Sequence, residues 1–226
     1  MQLTSWGTIF KSLYRVCSLR NSVLLACILF ITQGAFNYIA TLLPIFTVKE
    51  LGWTNISYSQ FYATSSLIGG IGGMLIGGIL IDKFGKMRMI NIYFLGMVLI
   101  TAALAFLKTY WISTTFIYGF MIIYNVLYTF SCIGIFSIAM QCCWKKVSAS
   151  QFTLYMTISN LGRIALAALI GPITTNFNWQ FALMAFAVMI ALAWLLLQFL
   201  NINKQVERVV DLENKDANSS RFPVSK

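Results

Sequence analysis

Six long apolar runs occupy most of the chain, at about Ser22–Thr47, Tyr58–Ile81, Met89–Leu107, Ile112–Gln141, Phe152–Thr174 and Phe181–Asn201. A helix needs about 20 apolar residues to cross the hydrocarbon core of a bilayer, so each run is long enough to span it. Inside a bilayer every backbone amide must find its partner within the protein, which leaves helices or a closed barrel. A barrel requires alternating strands of roughly ten residues, and the runs show no such alternation. The expected fold is an all-α membrane protein of six transmembrane helices in one bundle. Composition agrees. The chain is 59% hydrophobic and 10% charged, with a mean hydropathy of +0.78. A soluble domain carries about 25% charged residues.

The 16 Lys and Arg outnumber the 6 Asp and Glu, for a net charge of +10. These basic residues form no single patch or stripe, so a nucleic-acid partner is not expected. They sort instead by gap. Lys11, Arg15 and Arg20 precede the first run, and Lys83, Lys86 and Arg88 fill the second gap. Lys145 and Lys146 lie in the fourth gap, and Lys204 and Arg208 follow the last run. The opposite gaps hold only Lys49 and Lys108. Short basic loops stay in the cytoplasm, so both termini are expected there, as six crossings require.

Three segments follow. Residues 1–20 place Leu3, Trp6, Phe10, Leu13 and Cys17 at helical spacing, with Lys11 and Arg15 opposite. This predicts an amphipathic helix on the cytoplasmic leaflet. It is not a cleavable signal, because the basic stretch enters a full-length apolar run without a small-residue cleavage site. Residues 21–202 form the bundle. Residues 203–226 turn polar and are expected to fray into solvent.

The second gap reads Gly78-Ile79-Leu80-Ile81-Asp82-Lys83-Phe84-Gly85-Lys86-Met87-Arg88. It satisfies G-x-x-x-D-[RK]-x-G-[RK]-x-[RK] at every position and resembles the conserved cytoplasmic loop of the major facilitator superfamily. The resemblance implies that Gly78, Asp82, Lys83, Gly85, Lys86 and Arg88 latch a cytoplasmic gate. On physical grounds Asp82 can accept hydrogen bonds from a neighbouring helix start. The basic residues can bridge acidic groups or lipid phosphates. Leading into this loop, Ser65, Gly69, Gly73 and Gly77 repeat every four residues. Such a stripe permits close helix approach, either as static packing or as a sliding surface between gates.

Polar residues within the runs are few. Arg163 lies near the middle of the fifth, where a charge costs roughly 2.5 to 3.5 kcal/mol on insertion scales. It is expected to contact an anionic substrate group, to clamp a neighbouring helix or to snorkel. Gln33 and Asn37 on the first run, Tyr124, Asn125 and Tyr128 on the fourth, and Asn160 on the fifth suit a sugar or peptide ligand. Each serves equally well as interhelical glue. Pro44 and Pro172 are expected to bend the outer ends of their helices. No Asp, Glu or His lies inside a run, so a proton relay would have to lie elsewhere.

Catalysis is not expected. The chain has no histidine, carboxylate pair, metal-ligand cluster or nucleophile elbow. No cofactor is implied. The five cysteines form no C-x-x-C pair and read as small buried hydrophobes.

Ser148-Ala149-Ser150-Gln151-Phe152-Thr153-Leu154-Tyr155-Met156-Thr157-Ile158-Ser159-Asn160-Leu161-Gly162-Arg163 is similar to a segment of the AmpG-type muropeptide permeases and related acetyl-coenzyme A transporters. Gly52-Trp53-Thr54, Ser59 and Gln60 also fit that family's first hairpin. The resemblance implies the C-terminal six-helix half of a twelve-helix permease that takes up muropeptides with protons across a bacterial inner membrane. Its partners would be the bilayer, a small-molecule substrate, and a second six-helix half or a second copy. Another anionic metabolite or sugar as substrate, or a non-transporting remnant or assembly subunit, are the alternatives.

Overall fold

The computed structural model describes residues 6–221, so Leu3 of the amphipathic stretch lies outside it. Among the described residues there is no strand. An amphipathic helix α1 (Trp6–Cys17) leads into α2 (Arg20–Lys49). The next span begins as α3 (Asn55–Gly72), passes through a π-helical turn at Gly73–Gly77 and ends as α4 (Gly78–Phe84). Helices α5 (Lys86–Phe106) and α6 (Thr114–Gln141) follow. The fifth span is α7 (Ser148–Ala167) with α8 (Ile170–Asn176), and the last is α9 (Trp179–Gln198). A further helix, α10 (Ile202–Arg221), closes the described chain. Among the described residues, six stretches are thus long and apolar enough to cross a membrane.

Polar caps set several helix starts. Thr54, Ser113 and Asn178 accept hydrogen bonds from the backbone N–H groups of Ser57, Phe116 and Phe181, which satisfies donors the first helical turn leaves free. The fifth span departs from the single helix expected. Pro172 has no N–H to donate to the Ala168 carbonyl, and its ring crowds that carbonyl. The helix breaks at Ala168–Leu169 as a result. By contrast, α2 runs unbroken past Pro44 to Lys49.

Helix α2 is the hub. It packs against α7 and α9, while α5 packs against α6 and α9, and α3 against α6. Leu25, Leu29, Phe36, Ile39, Leu42 and Phe46 of α2 are buried in the main core beside Phe94, Met121, Tyr124 and Phe186. Burial is lopsided. The most apolar window of α2 is 56% buried, against 29% for the Asn55–Phe84 span and 17% for Lys145–Asn176. Those two spans border the open side of the bundle.

The tail corrects its expectation. It does not fray after Asn201, because α10 is helical to Arg221. The Asn201 side chain caps it by accepting from the Lys204 N–H at 3.0 Å. Gln205 and Val209, one turn apart, are buried. Val209 joins Val16 of α1 with Trp144 and Val147 in a small apolar cluster, and Gln205 Nε2 donates to Ser22 Oγ at 2.8 Å. The polar average of the segment hides this narrow apolar stripe. Both terminal helices and the Lys145–Val147 turn therefore meet at one end of the bundle, the basic one. On α1, Ser12 and Val16 face protein, while Phe10, on the face expected to meet the leaflet, stays exposed, as does Tyr14.

Candidate functional site

The site begins with two glycines. Helices α2 and α7 cross so closely that a Cβ on Gly162 would lie 2.1 Å from the Phe30 carbonyl oxygen. One on Gly34 would lie 2.6 Å from the carbonyl oxygen of Gly162. Only glycine fits at this crossing. It brings Asn37 within reach of the next residue of α7, and Asn37 Nδ2 donates to the Arg163 carbonyl at 3.0 Å.

The Arg163 side chain is exposed on the open side of the bundle. With Gln33, Asn37, Tyr62, Tyr124 and Tyr128 it lines a cavity of about 100 Å³. Aromatic packing fixes the walls. Tyr124 and Tyr128 stack with ring centroids 6.1 Å apart, and Phe36 meets Tyr128 edge-on at 4.9 Å. Gln33 Nε2 points to Cys132 Sγ at 3.8 Å. No carboxylate lines the cavity. The arrangement therefore offers a guanidinium, two amides and three phenols with no resident anion, which suits a polar solute carrying negative charge.

Two candidates lie apart from this cavity. Asn125 is buried and donates to Ser65 Oγ at 3.0 Å and to the Met121 carbonyl, while its Oδ1 accepts from Ser66. Its hydrogen bonds tie α6 to α3. Asn160 is exposed on α7 and does not line the cavity. The stripe of Ser65, Gly69, Gly73 and Gly77 faces α6. A Cβ on Gly69 would meet the Asn125 backbone at 2.8 Å, and one on Gly73 the Thr129 methyl at 2.2 Å. Sequence reasoning missed Tyr62, Gly34 and the role of Gly162. The placement of Gly34 between Gln33 and Asn37 was the available signal.

The loop motif lies at the basic end. Gly85 adopts φ +89°, and its N–H donates to the Ile81 carbonyl at 3.0 Å. This left-handed residue reverses the chain between α4 and α5 and explains the glycine of the motif. Gly78 has open space around its Cα. Asp82, Lys83 and Arg88 are exposed, and Lys86 Nζ donates to Gln141 Oε1 at 3.2 Å. The Lys83 ammonium lies 5.5 Å from the centre of the Phe84 ring.

A bundle of spans with a polar mid-span cavity and this loop defines a membrane transporter. The family comparison agrees: the Major Facilitator Superfamily matches residues 2–167, from before α1 to the end of α7. The chain belongs to that superfamily and is a multi-pass integral membrane protein. The family is one of transporters rather than enzymes. Comparison with curated proteins finds no match.

Proposed function

We propose that the chain forms one wall of a transport path for a small anionic solute, in the manner of AmpG-like proton-coupled muropeptide uptake. The observation that carries this reading is Arg163, exposed at mid-span beside Asn37, Gln33 and the tyrosines with no carboxylate in the cavity lining. A bare guanidinium facing lipid is costly, and an anion in a water-filled path removes that cost.

The cavity of about 100 Å³ is smaller than the roughly 300–1,000 Å³ of ordinary ligand sites. An opposite wall completes it, either a second six-helix bundle or a second copy of the chain, docked on the open side bordered by α3 and α7. Transport sites between paired bundles lie near the bilayer midplane, the depth of Arg163. The proton relay sits on that opposite bundle. The basic end faces the cytoplasm of a bacterial inner membrane. There Asp82 and its neighbours latch the gate, and α3 moves along α6 on the glycine stripe.

Uptake of labelled anhydro-muropeptide by cells lacking their own permease tests the reading, with the chain expressed alone and beside a candidate first bundle. Uptake by either arrangement, lost on Arg163→Ala, supports it. Confirmed membrane insertion without uptake in both arrangements rejects the muropeptide assignment.

A further inference from the structure

We infer that a groove at the basic end of the bundle binds the headgroup of an anionic phospholipid from the adjoining leaflet. The groove lies between the loop after α4 and the α9–α10 junction and has a volume of about 880 Å³. Lys86 and Arg88 form one side, and Phe199, Asn201 and Asn203 the other. Its depth is that of a headgroup, because Lys86 begins one span and Gln198 ends another.

Positive charge is in excess. Lys86 uses one N–H on the neutral amide of Gln141. Arg88 is exposed, with no ion pair among the described residues. Asp82 also lines the groove, so its rim holds two cations against one carboxylate. A phosphate diester can take the remaining Lys86 and Arg88 donors in charge-assisted hydrogen bonds.

A second feature argues for a lipid rather than a free phosphate. Phe199, 68% exposed, is the common wall between this groove and an apolar trough of about 420 Å³. Val23, Leu24 and Cys27 line the trough, with Arg20 at its end. The apolar residues descend α2 into the bilayer and provide a bed for an acyl chain, while Arg20 adds a third cation at headgroup level. Basic pockets of this kind at a membrane edge select anionic lipids.

Native mass spectrometry of the full chain in detergent, titrated with phosphatidylglycerol or phosphatidylcholine, tests the assignment. The wild-type chain is expected to prefer phosphatidylglycerol by roughly tenfold, as cations near a membrane surface predict. Lys86→Gln with Arg88→Gln removes that preference, whereas Lys49→Gln with Lys108→Gln, at the opposite end, preserves it. Lys86→Arg with Arg88→Lys retains the charge and the preference, which separates charge loss from misfolding. Equal binding of the two lipids by the wild type overturns the proposal, as does a preference that survives the paired glutamine substitutions. Displacement of the lipid by millimolar inorganic phosphate identifies a free-phosphate site and overturns the lipid assignment.

Discussion

The side chain of Asn37 donates a hydrogen bond to the backbone carbonyl of Arg163, 126 positions later in the chain, at 3.0 Å. The bond crosses from α2 to α7 where two glycines let the helices touch. It fixes the height of Arg163 against Gln33 and leaves the guanidinium free to face the cavity.

Arg163→Ala is therefore expected to cut uptake of an anionic solute by roughly 10- to 100-fold, the loss of a charge-assisted hydrogen bond worth about 1.5–3 kcal/mol. Arg163→Lys keeps the charge without the planar fork and falls between the two. Initial uptake rates at equal membrane expression provide the check. An Arg163→Ala protein that transports at the wild-type rate removes Arg163 from the path.

Gly162→Val tests the crossing itself. The nearest neighbour of the added Cβ is the Phe30 carbonyl oxygen at 2.1 Å, which is backbone and cannot rotate away. The helices must separate, at about 1–3 kcal/mol for overpacking. The expected result is a lower unfolding temperature in detergent together with weakened uptake. Gly70→Ala is the control, since nothing lies within 4 Å of a Cβ there.

Much of this fold was legible because membrane spans obey a simple rule of length and apolarity. Each of the six runs falls within or overlaps one of the six apolar helical stretches, although the fifth stretch begins earlier, at Lys145, and is broken in two. What escaped was set by partners distant in sequence. Asn125 reads equally as a ligand group or as interhelical glue, until Ser65 and Ser66 are seen to use its amide. Tyr62 carries no signal of its own and enters the cavity only through the packing of α3 on α6. The tail reads as polar because, among its described side chains, Gln205 and Val209 are the buried ones, and the cluster that receives Val209 comes from α1 and the turn before α7.

That cluster gives a direct prediction. Val209→Asp buries a carboxylate against Val16, Trp144 and Val147. The Lys146 ammonium lies 5.6 Å from the Trp144 ring, but desolvating a carboxylate costs several kcal/mol even beside a cation. Helix α10 should detach while the six spans remain folded. Hydrogen exchange across Ile202–Arg221 should rise by orders of magnitude, with α5 and α9 unchanged. Unaltered protection of α10 would contradict its packed state.

Gly85→Ala separates conformation from contact. A Cβ at Gly85 meets nothing within 4 Å, yet the residue holds φ +89°. Alanine there is strained by about 1–3 kcal/mol without any clash. The loop from Asp82 to Arg88 is expected to shift, and transport to slow, with little change in global unfolding. Unimpaired transport by a folded Gly85→Ala protein would show that the turn's conformation does not matter to the gate.

The thiols at the basic end provide a pH test. Partial burial, aided by nearby Cys17, pushes the Cys143 thiol up to about 11 from an ordinary 9.0. Burial first, and then Cys143, pushes Cys142 up to about 12. Only the thiolate attacks a maleimide, and burial disfavours that charged form. Labelling of both residues in the folded chain should therefore be slow near neutral pH and still climbing between about pH 9 and 10.5, about tenfold per unit. In the unfolded chain the rate should begin to plateau near pH 9, because the thiols regain their ordinary acidity. Peptide mapping after timed labelling reads each cysteine separately. A folded-state rate that also plateaus near pH 9 would mean that the junction of α6 with α1 is open to water rather than packed.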